Sequence, residues 1–399
     1  MSEDDWPKGW YQDEKPSAVP GSDIETRDMT AAAPATMPGA APNGWPAQPA
    51  PVSVPGPGGP GVPDQGRPRR GGARQWRFWG QPGRRGRRIA LIAGALVVVL
   101  VAALAGSYFW VDGKLNRSVI LPAFAGQSAG QNWLIVGSDG RDGLTTKQII
   151  EYHVGFDFGT ANSDSLMLLH LGSGRPVLIS IPRDSYVPIP GFGWNKINAA
   201  LGFGGPSLLV QTVENVTGLR INHYMGIGFG GLVSVVNTVG GVRICLPAPL
   251  QDADSGVNLK AGCQNLNGTQ ALAFVRDRHS FADEDLQRMQ DQRAFLKALL
   301  DKATSPGVYL DPFTALPFAS TAASSISVDK GTSLYDLTQA ALALRDPLTG
   351  TVPIANANYE TSNAGDAVQW NSTEALQLFN ALQDNKPVPA GLLTGTVLG

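Results

Sequence analysis

Basic and acidic side chains are concentrated in one short segment of this 399-residue chain. The stretch "AFVRDRHSFADEDLQRMQDQRAFL" holds four arginines, four aspartates and a glutamate among apolar residues. If Arg276 and Arg278 lie on an extended segment, both point to the same side, because side chains alternate along a strand. Asp285, Arg288 and Gln292 share one narrow face of the helix predicted to begin at Asp285. Guanidinium groups that converge in this way fork onto phosphate oxygens, so the segment predicts a phosphate-binding surface.

A less specific interpretation of the same helix stays open. Its apolar stripe of Leu286, Met289, Leu296 and Leu300 borders the charged face. A charged face beside such a stripe is usually exposed to solvent and stabilised by side-chain pairs three residues apart. The two interpretations differ in whether the charged side chains contact a ligand or only water.

A second set of charged residues stands at the ends of predicted strands. "VGSDGR" places Asp139 and Arg141 just after an apolar run, and "ISIPRDSY" places Arg183 and Asp184 just after another. "ANSDSLMLL" places Asp164 before its run. Open α/β sheets bind ligands at one strand end, which makes these residues candidates for a site. Asp164 joins the others only if its strand is antiparallel to theirs.

The two carboxylates Asp139 and Asp164 suggest a cation site. Magnesium takes few protein oxygens and shares its other positions with phosphate and water, so a pair of aspartates near phosphate-binding arginines would suit it. Aspartates at strand ends are also ordinary turn formers. Spacing alone does not choose between these roles.

The elements that position these residues predict an α/β layered domain. Short apolar runs bounded by Gly, Pro and Asp indicate buried strands, and they alternate with segments of helical spacing. No second linker divides residues 131–399, which we predict to be one domain. Strands are predicted in "NWLIVG", "SLMLLHL", "PVLISIP", "HYMGIGF" and "GVRICL", and helices in "PSLLVQTVENVTG", "FGGLVSVVNTVGG" and at Leu266 to Val275, Asp285 to Thr304, Ser333 to Leu344 and Thr373 to Gln383.

The N-terminal part has a different composition. Met1 to Arg88 holds most of the proline and few apolar side chains, so it cannot bury enough surface to offset chain entropy, and we predict that it is disordered. Nine arginines lie between Arg67 and Arg88, which leaves a net charge of about −5 on the residues from Ile89 onward. The bias toward alanine, arginine and proline indicates a GC-rich bacterial source such as an actinobacterium.

An apolar segment follows the arginine run. Ile89 to Val111 has no charge over 23 residues, enough for a helix to cross a bilayer core of roughly 30 Å. We predict an uncleaved signal anchor in the cell membrane with a cytoplasmic N-terminus, because the arginines lie before the span. Residues 112–130 are predicted to be a short stalk outside the membrane. The arginine run then determines the membrane topology and binds anionic lipid headgroups, which argues against nucleic acid as a partner.

The chain has two cysteines, Cys245 and Cys263, both in the part predicted to be exported. Oxidising conditions there allow a disulfide, which would stabilise the fold by about 3 kcal/mol in the chain-entropy model. We favour a structural pair over a catalytic thiol.

Six motifs in order resemble the LytR-CpsA-Psr family. They are "NWLIVGSDGR", "NSDSLMLL", "VLISIPRDSYVPIPG", "NKINAALGFGG", "HYMGIGFGGLVSVVNTVGGVRI" and "LNGTQALAFVRDRH" with "DLQRMQDQ", and together they cover nearly all of residues 132–293. Each is weak alone, but six in the family's order after one membrane anchor form a specific signal.

The resemblance implies a three-layer α/β/α sandwich that moves a glycopolymer from a polyprenyl-pyrophosphate carrier onto a peptidoglycan hydroxyl, through a phosphodiester link and with Mg²⁺. It implies that Asp139 and Asp164 hold the metal, and that Asp184 orients Arg183 while Asp285 holds the helix arginine. The residues it places on the pyrophosphate are Arg141, Arg183, Arg276, Arg278 and Arg288, with Lys196 and Gln292 at the periphery.

Two positions depart from the family pattern. Asn162 stands where many members have an arginine, and Asp291 stands where a basic residue is common. Neither change removes a residue assigned to the metal.

The mechanism implied is attack by an acceptor hydroxyl on the phosphorus nearer the glycan, with lipid phosphate leaving. Such transfer needs positioning and charge neutralisation more than a strong base, and the sequence does not single out a base. An alternative function is a receptor or tether that binds anionic polymer or lipid without turnover, and a membrane-tethered transcriptional regulator is a further, weaker one. The glycan that is carried is left open.

Overall fold

A computed structural model describes residues 84–126, 128–141, 144–156, 162–253, 255–277 and 284–393. For residues 284–289 it describes the backbone alone. The segment 1–83, most of the part predicted to be disordered, lies outside the described residues. Arg84 to Arg88, which fell within that prediction, are helical.

The strands of the described chain are β1 (Asn116–Val119), β2 (Gln131–Ser138), β3 (Ser163–Leu171), β4 (Val177–Ile181), β5 (Tyr186–Ile189), β6 (Gly193–Lys196), β7 (His223–Ile227), β8 (Val242–Leu246), β9 (Leu250–Asp252), β10 (Val257–Leu259), β11 (Gly262–Leu266), β12 (Ile326–Asp329), β13 (Leu348–Thr351), β14 (Ile354–Thr361) and β15 (Gly365–Trp370). The helices are α1 (Arg84–Asp112), α2 (Thr146–Glu151), α3 (Ala199–Thr217), α4 (Phe229–Thr238), α5 (Gly268–Arg276), α6 (Glu284–Ala303), α7 (Pro306–Tyr309), α8 (Pro312–Ser325), α9 (Leu334–Ala343) and α10 (Ser372–Gln383).

A seven-stranded mixed sheet with the order β1-β12-β7-β2-β3-β4-β13 forms the centre of the fold. Strand β3 is antiparallel to both of its neighbours, β2 and β4. Strand β2 is parallel to β7, and β4 is parallel to β13. The antiparallel β3 is the arrangement that brings the start of β3 to the same sheet edge as the ends of β2 and β4. It meets the condition that the predicted site required.

Each face of the sheet is covered by helices, because alternate strand residues bury apolar side chains on opposite sides. On one face, Leu134, Leu168 and Ile179 pack with residues of α3 and α10. On the other face, Trp133 and Leu169 pack with residues of α6 and α9. This arrangement confirms the predicted three-layer α/β/α fold.

The main helix boundaries follow from local capping. Asn267 and Ser333 each accept a hydrogen bond from the backbone N–H three residues later, which begins α5 and α9. Helix α3 is kinked where Gly204 and Gly205 leave the helical conformation, and Gly205 has φ +69° before Pro206. A proline is tolerated there because it begins a new helical segment. The helix predicted in "PSLLVQTVENVTG" is the part of α3 after this kink.

Helix α1 is long and apolar enough to cross a bilayer, and it is the one helix of that kind within the described ranges. Its apolar side chains are exposed over most of its length, whereas Val111 at its end is 2% exposed. Asp112 accepts a hydrogen bond from the Leu334 N–H at 2.8 Å and pairs with Arg117 at 2.8 Å.

The segment predicted as a stalk contributes to the sheet. Strand β1 lies within it and pairs in parallel with β12. The residues just after α1 are therefore joined to the sheet through main-chain hydrogen bonds.

Cys245 and Cys263 form a disulfide. They are directly opposite each other on the antiparallel strands β8 and β11. The bridge therefore links the two strands of a small antiparallel sheet, and the prediction of a structural pair is confirmed.

Candidate functional site

Charged residues from three strands meet at one edge of the central sheet. Ser138 at the end of β2 pairs with Ser163 at the start of β3. Ile181 at the end of β4 pairs with Leu166 of β3. Asp139, Arg183 and Asp184 follow the ends of β2 and β4, and Asp164 is the second residue of β3. These residues therefore lie at a common edge, as the sequence predicted for an antiparallel β3.

Arg183 joins two carboxylates at this edge. Its Nη1 lies 3.1 Å from Asp164 Oδ1, and its Nε lies 3.2 Å from Asp184 Oδ2. Lys196 Nζ lies 3.5 Å from the other oxygen of Asp184. These four residues, which we call the charged relay, alternate in sign along Asp164, Arg183, Asp184 and Lys196. The predicted orienting contact of Asp184 with Arg183 is present.

Arg183 is held in this position by local structure. Hairpin β5–β6 brings Lys196 back toward Asp184, because the Ile197 N–H donates to the Ser185 carbonyl at 2.8 Å and the Asn198 N–H to the Arg183 carbonyl at 3.1 Å. The relay side chains are 15–25% exposed. Their charges are therefore partly shielded from water yet accessible from the edge of the sheet.

Asp139 is tied to the chain just before β3. Its Oδ1 accepts the backbone N–H of Asn162 at 2.6 Å, and its own N–H donates to the Asn162 carbonyl at 3.1 Å. Both contacts use the backbone of residue 162. Asn162 therefore holds Asp139 through its backbone, independently of its own side chain.

Burial raises the pKa of the Asp139 carboxyl above its ordinary value. The negative charge of Asp164 raises this pKa further, while the Asn162 N–H and Arg141 act in the opposite direction. Asp139 and Asp164 are thus close enough to repel each other, and a cation between or beside them would relieve that repulsion.

Oxygen ligands that repel each other in a partly buried site fit magnesium. Within the described ranges, no group of three or more His, Cys, Asp and Glu side chains is placed to hold a metal. Asp139 and Asp164 would therefore be two carboxylate ligands, and phosphate or water would supply the other positions. This division of ligands is the one that magnesium commonly adopts.

Arg141 and Arg276 meet at a different place, the backbone of residues 152–154. Arg141 donates to the Val154 carbonyl through Nε at 2.9 Å and through Nη2 at 2.7 Å. Arg276 Nη1 donates to the His153 carbonyl at 3.2 Å and to the Tyr152 carbonyl at 3.4 Å. Three consecutive carbonyls thus hold two arginines that are distant in sequence.

Each of these arginines has a further contact. Arg141 Nη1 lies 3.5 Å from the Asp139 carbonyl, which connects it to the sheet edge. The Arg276 guanidinium lies 5.0 Å from the centre of the Phe229 ring, in a cation–π arrangement.

The assumption that Arg276 lies on an extended segment is wrong. Arg276 is the last residue of helix α5. Asn267 caps the start of this helix, and its residues Leu272 and Phe274 are buried. The helical conformation continues to residue 276 because these side chains pack in the core. Its guanidinium reaches the residue 152–154 carbonyls from the end of that helix.

Gln292 on α6 donates through Nε2 to the Val275 carbonyl at 3.2 Å. It therefore joins α6 to the last turn of α5, next to Arg276. Arg278 lies outside the described residues, and so do the side chains of Asp285 and Arg288. Their predicted contacts with pyrophosphate stay predictions.

The sequence analysis missed the backbone carbonyls of Tyr152, His153 and Val154. No residue type marks a carbonyl as a ligand for arginine, so no signal in the sequence pointed to them. His153 has φ +52°, a left-handed conformation that is uncommon outside glycine. The conformation of this segment is set by its surroundings in the fold.

Comparisons with known proteins place the chain among cell-wall proteins. Residues 112–384 match the family described as the LytR_cpsA_psr family. The chain is 44% identical over 299 residues to the "Probable cell wall biosynthesis protein LcpB" of Corynebacterium glutamicum, covering 74% of this chain and 71% of that protein. It is 29% identical over 255 residues to the "Polyisoprenyl-teichoic acid--peptidoglycan teichoic acid transferase TagU" of Oceanobacillus iheyensis, covering 58% and 71%.

The fold has a counterpart among solved structures. The "LytR-Csp2A-Psr enzyme from Actinomyces oris" superposes with a TM-score of 0.54 at 23% identity, covering 68% of this chain and 96% of that one. At this identity the likeness concerns the fold alone.

Proposed function

Because the chain belongs to the LytR_cpsA_psr family, we propose that it is a membrane-anchored phosphotransferase that acts on a polyprenyl-pyrophosphate-linked glycopolymer. The acceptor is a hydroxyl group of peptidoglycan, and the product is a phosphodiester link. The charged relay at the sheet edge supports this proposal most directly. The relay places the partly exposed guanidinium of Arg183 between two carboxylates. These carboxylates hold the guanidinium in position, and it can still face a phosphate.

In the proposed reaction, the acceptor oxygen attacks the phosphorus nearer the glycan. A new oxygen–phosphorus bond forms, the bond from that phosphorus to the bridging oxygen breaks, and lipid phosphate leaves. The acceptor proton passes to solvent or to the leaving phosphate. Arg183 would neutralise the negative charge that grows on the phosphate oxygens, and Asp164 and Asp184 would keep its guanidinium aimed at them.

Arg141 and Arg276 would bind the more distant phosphate or steer it, since the carbonyls of residues 152–154 fix their position without neutralising their charge. Asp139 and Asp164 would hold Mg²⁺, whose charge would help to offset that of the pyrophosphate when bound. Arg278 and Arg288 would complete the cationic surface, with the neutral amide of Gln292 at its periphery.

The arginine run before the apolar part of α1 supports a cytoplasmic N-terminus, with the catalytic domain outside the membrane. The disulfide is consistent with that location, since disulfides persist in oxidising compartments. A single-pass anchor also suits a lipid-linked substrate, because both are confined to the same membrane.

The experiment that tests the proposal uses the full chain in lipid nanodiscs with a polyprenyl-pyrophosphate-linked disaccharide. Release of lipid phosphate is measured with Mg²⁺, with EDTA and in Arg183→Ala. Arg175→Ala is the matched control, because Arg175 is 54% exposed and pairs with Asp346 rather than with the relay.

Release that requires Mg²⁺ and Arg183 and survives in Arg175→Ala supports phosphoryl transfer. If the lipid binds but is never cleaved, even with peptidoglycan fragments present, the transferase proposal fails. The receptor or tether function would then take its place.

A further inference from the structure

Three aromatic rings lie together beside the charged relay. The Tyr186 ring centre is 5.4 Å from that of Trp194 and 5.9 Å from that of Tyr359. Asn363 connects them, because its amide accepts from Tyr186 Oη at 2.8 Å and donates to the Trp194 carbonyl at 2.7 Å. We call Tyr186, Trp194, Tyr359 and Asn363 the aromatic platform.

The aromatic platform and the relay share one face of a hairpin. Tyr186 on β5 is directly opposite Lys196 on β6, and Trp194 is two residues from Lys196 on the same strand. Side chains two apart on a strand, and those directly opposite, lie on the same face. Lys196 Nζ reaches Asp184 from this face at 3.5 Å. The rings are therefore adjacent to the proposed phosphate site.

A second hairpin holds the platform in place. Strand β15 follows β14, which carries Tyr359, and the Val368 N–H on β15 donates to the Asp184 carbonyl at 2.9 Å. Trp370 Nε1 donates to Ser185 Oγ at 2.8 Å in the buried layer below. The positions of Tyr359 and Asp184 are thus fixed relative to each other by main-chain and buried contacts.

The surface of the platform has the chemistry of a sugar site. All three rings are partly exposed, and Asn363 is exposed. Aromatic faces offer an apolar surface for the C–H groups of a sugar ring, while amides donate to and accept from its hydroxyls. Small-molecule sites combine apolar surface with a few placed polar groups in this way.

We propose that the aromatic platform binds a sugar ring of a glycan chain next to the charged relay. This inference rests on the proposed function, because both the donor and the acceptor of that reaction contain a glycan. Tyr186 follows Asp184 by two residues, which corresponds to roughly 7 Å of extended backbone. A sugar on the rings therefore lies within reach of the phosphorus that Arg183 faces. Both the glycan of the lipid-linked donor and that of the acceptor have the required chemistry.

The test measures equilibrium binding to the full chain in nanodiscs, without turnover. The two probes are a soluble disaccharide fragment of peptidoglycan and the polyprenyl-pyrophosphate-linked disaccharide, each titrated by calorimetry with EDTA present. Tyr359→Ala removes a ring, Tyr359→Phe keeps it, and Asn363→Ala removes the amide. Tyr335→Ala is the matched control, because Tyr335 is 61% exposed on α9 and accepts a hydrogen bond from Gln339 one turn along the same helix.

The expected result is that Tyr359→Ala and Asn363→Ala each weaken sugar binding by roughly 3- to 10-fold. Tyr359→Phe and Tyr335→Ala should bind within about twofold of the unchanged chain. Weaker binding of the peptidoglycan fragment to these variants assigns the platform to the acceptor. Weaker binding of the lipid-linked probe alone assigns it to the donor glycan. Either result supports a sugar site.

The inference is overturned if both probes bind equally well to Tyr359→Ala, Asn363→Ala and the unchanged chain. Unaltered thermal unfolding of the Tyr359→Ala and Asn363→Ala variants shows that weaker binding, where it is found, does not reflect misfolding. The outcome is separable from the proposed function. Sugar binding that depends on Tyr359 would stand even if lipid phosphate were never released, and release that depends on Arg183 would stand even if the platform bound no sugar.

Discussion

Arg183 and Asp164, which are 19 positions apart in the chain, form an ion pair of 3.1 Å at the edge of the central sheet. The pair exists because β3 runs antiparallel to β4, so that the start of one strand meets the end of the other. The Nε of the same guanidinium bonds Asp184. A planar fork of donors is needed to serve both carboxylates at once.

Arg183→Lys is expected to lower lipid-phosphate release by roughly 10- to 100-fold, because an ammonium replaces two charge-assisted hydrogen bonds with one. Arg183→Ala should lower it by roughly 10²- to 10³-fold. Initial rates in nanodiscs measure both effects, with Arg175→Lys as the control. Equal rates for Arg183→Lys and the unchanged chain would show that the fork is not required.

The proposed Mg²⁺ requirement is expected to depend on pH through Asp139. The pKa of its carboxyl is raised by burial and by the charge of Asp164, so it takes up a proton at a higher pH than an ordinary aspartate does. Because a protonated carboxyl is a poor ligand, the half-saturating Mg²⁺ concentration should rise as the pH falls from about 7.5 to about 5.

In Asp139→Asn the half-saturating Mg²⁺ concentration should be higher and nearly independent of pH. Asp346→Asn is the control, since the Asp346 side chain is 87% exposed and pairs with Arg175, which precedes β4, whereas Arg183 follows the other end of that strand. Titration of lipid-phosphate release with Mg²⁺ at both pH values measures the effect. A requirement that is the same in Asp139→Asn as in the unchanged chain would remove Asp139 from the metal site.

Glu214 on α3 should make stability depend on pH. Burial raises the pKa of its carboxyl from an ordinary value of 4.5 to about 7, although its Oε1 accepts the Ile221 N–H at 2.9 Å. The folded chain holds this proton more tightly than the unfolded chain does. The free energy of unfolding should therefore fall as the pH rises from about 4.5 to about 7, by on the order of 3 kcal/mol.

Glu214→Gln mimics the protonated carboxyl, so it should raise the free energy of unfolding above pH 7 and change it little near pH 4.5. Urea unfolding of the full chain in detergent micelles at both pH values gives the comparison. Glu374→Gln on the exposed face of α10 serves as the control. A Glu214→Gln variant with no advantage above pH 7 would contradict the prediction.

His153 should tolerate glycine better than valine. Its φ of +52° is accessible to glycine and unfavourable for a β-branched residue. His153→Val is expected to lower the free energy of unfolding by about 1–3 kcal/mol and to lower activity, because the carbonyls that hold Arg141 and Arg276 would move. His153→Gly should keep activity within about twofold. Rates of lipid-phosphate release and thermal unfolding of the two variants measure these effects. A loss of activity in His153→Gly would show that the imidazole itself is required.

The disulfide should contribute to stability rather than to catalysis. Replacing both Cys245 and Cys263 by serine should lower the free energy of unfolding by about 2–4 kcal/mol, because the cross-link restricts the unfolded chain. Lipid-phosphate release at low temperature should be unchanged. A loss of release in a variant whose folding is intact would overturn this separation.

The sequence by itself determined the layered fold, the apolar helix α1 and which charged residues stand at strand ends. Apolar runs of strand length, bounded by turn residues, fix where strands end, and Asp139, Asp164 and Arg183 stand at those ends. Resemblance to a family then gave these positions a chemistry. The antiparallel direction of β3 was a condition that the sequence analysis could state without being able to establish it.

Only the tertiary structure decided which groups hold the arginines. Every residue type has a backbone carbonyl, so nothing in the sequence distinguishes those of residues 152–154 as partners of Arg141 and Arg276. The aromatic platform joins two hairpins that are distant in the chain, and Asn363 contacts Tyr186 only because β15 lies beside Asp184. Contacts of this kind depend on packing between elements that are far apart in sequence, and local patterns of residues do not encode that packing.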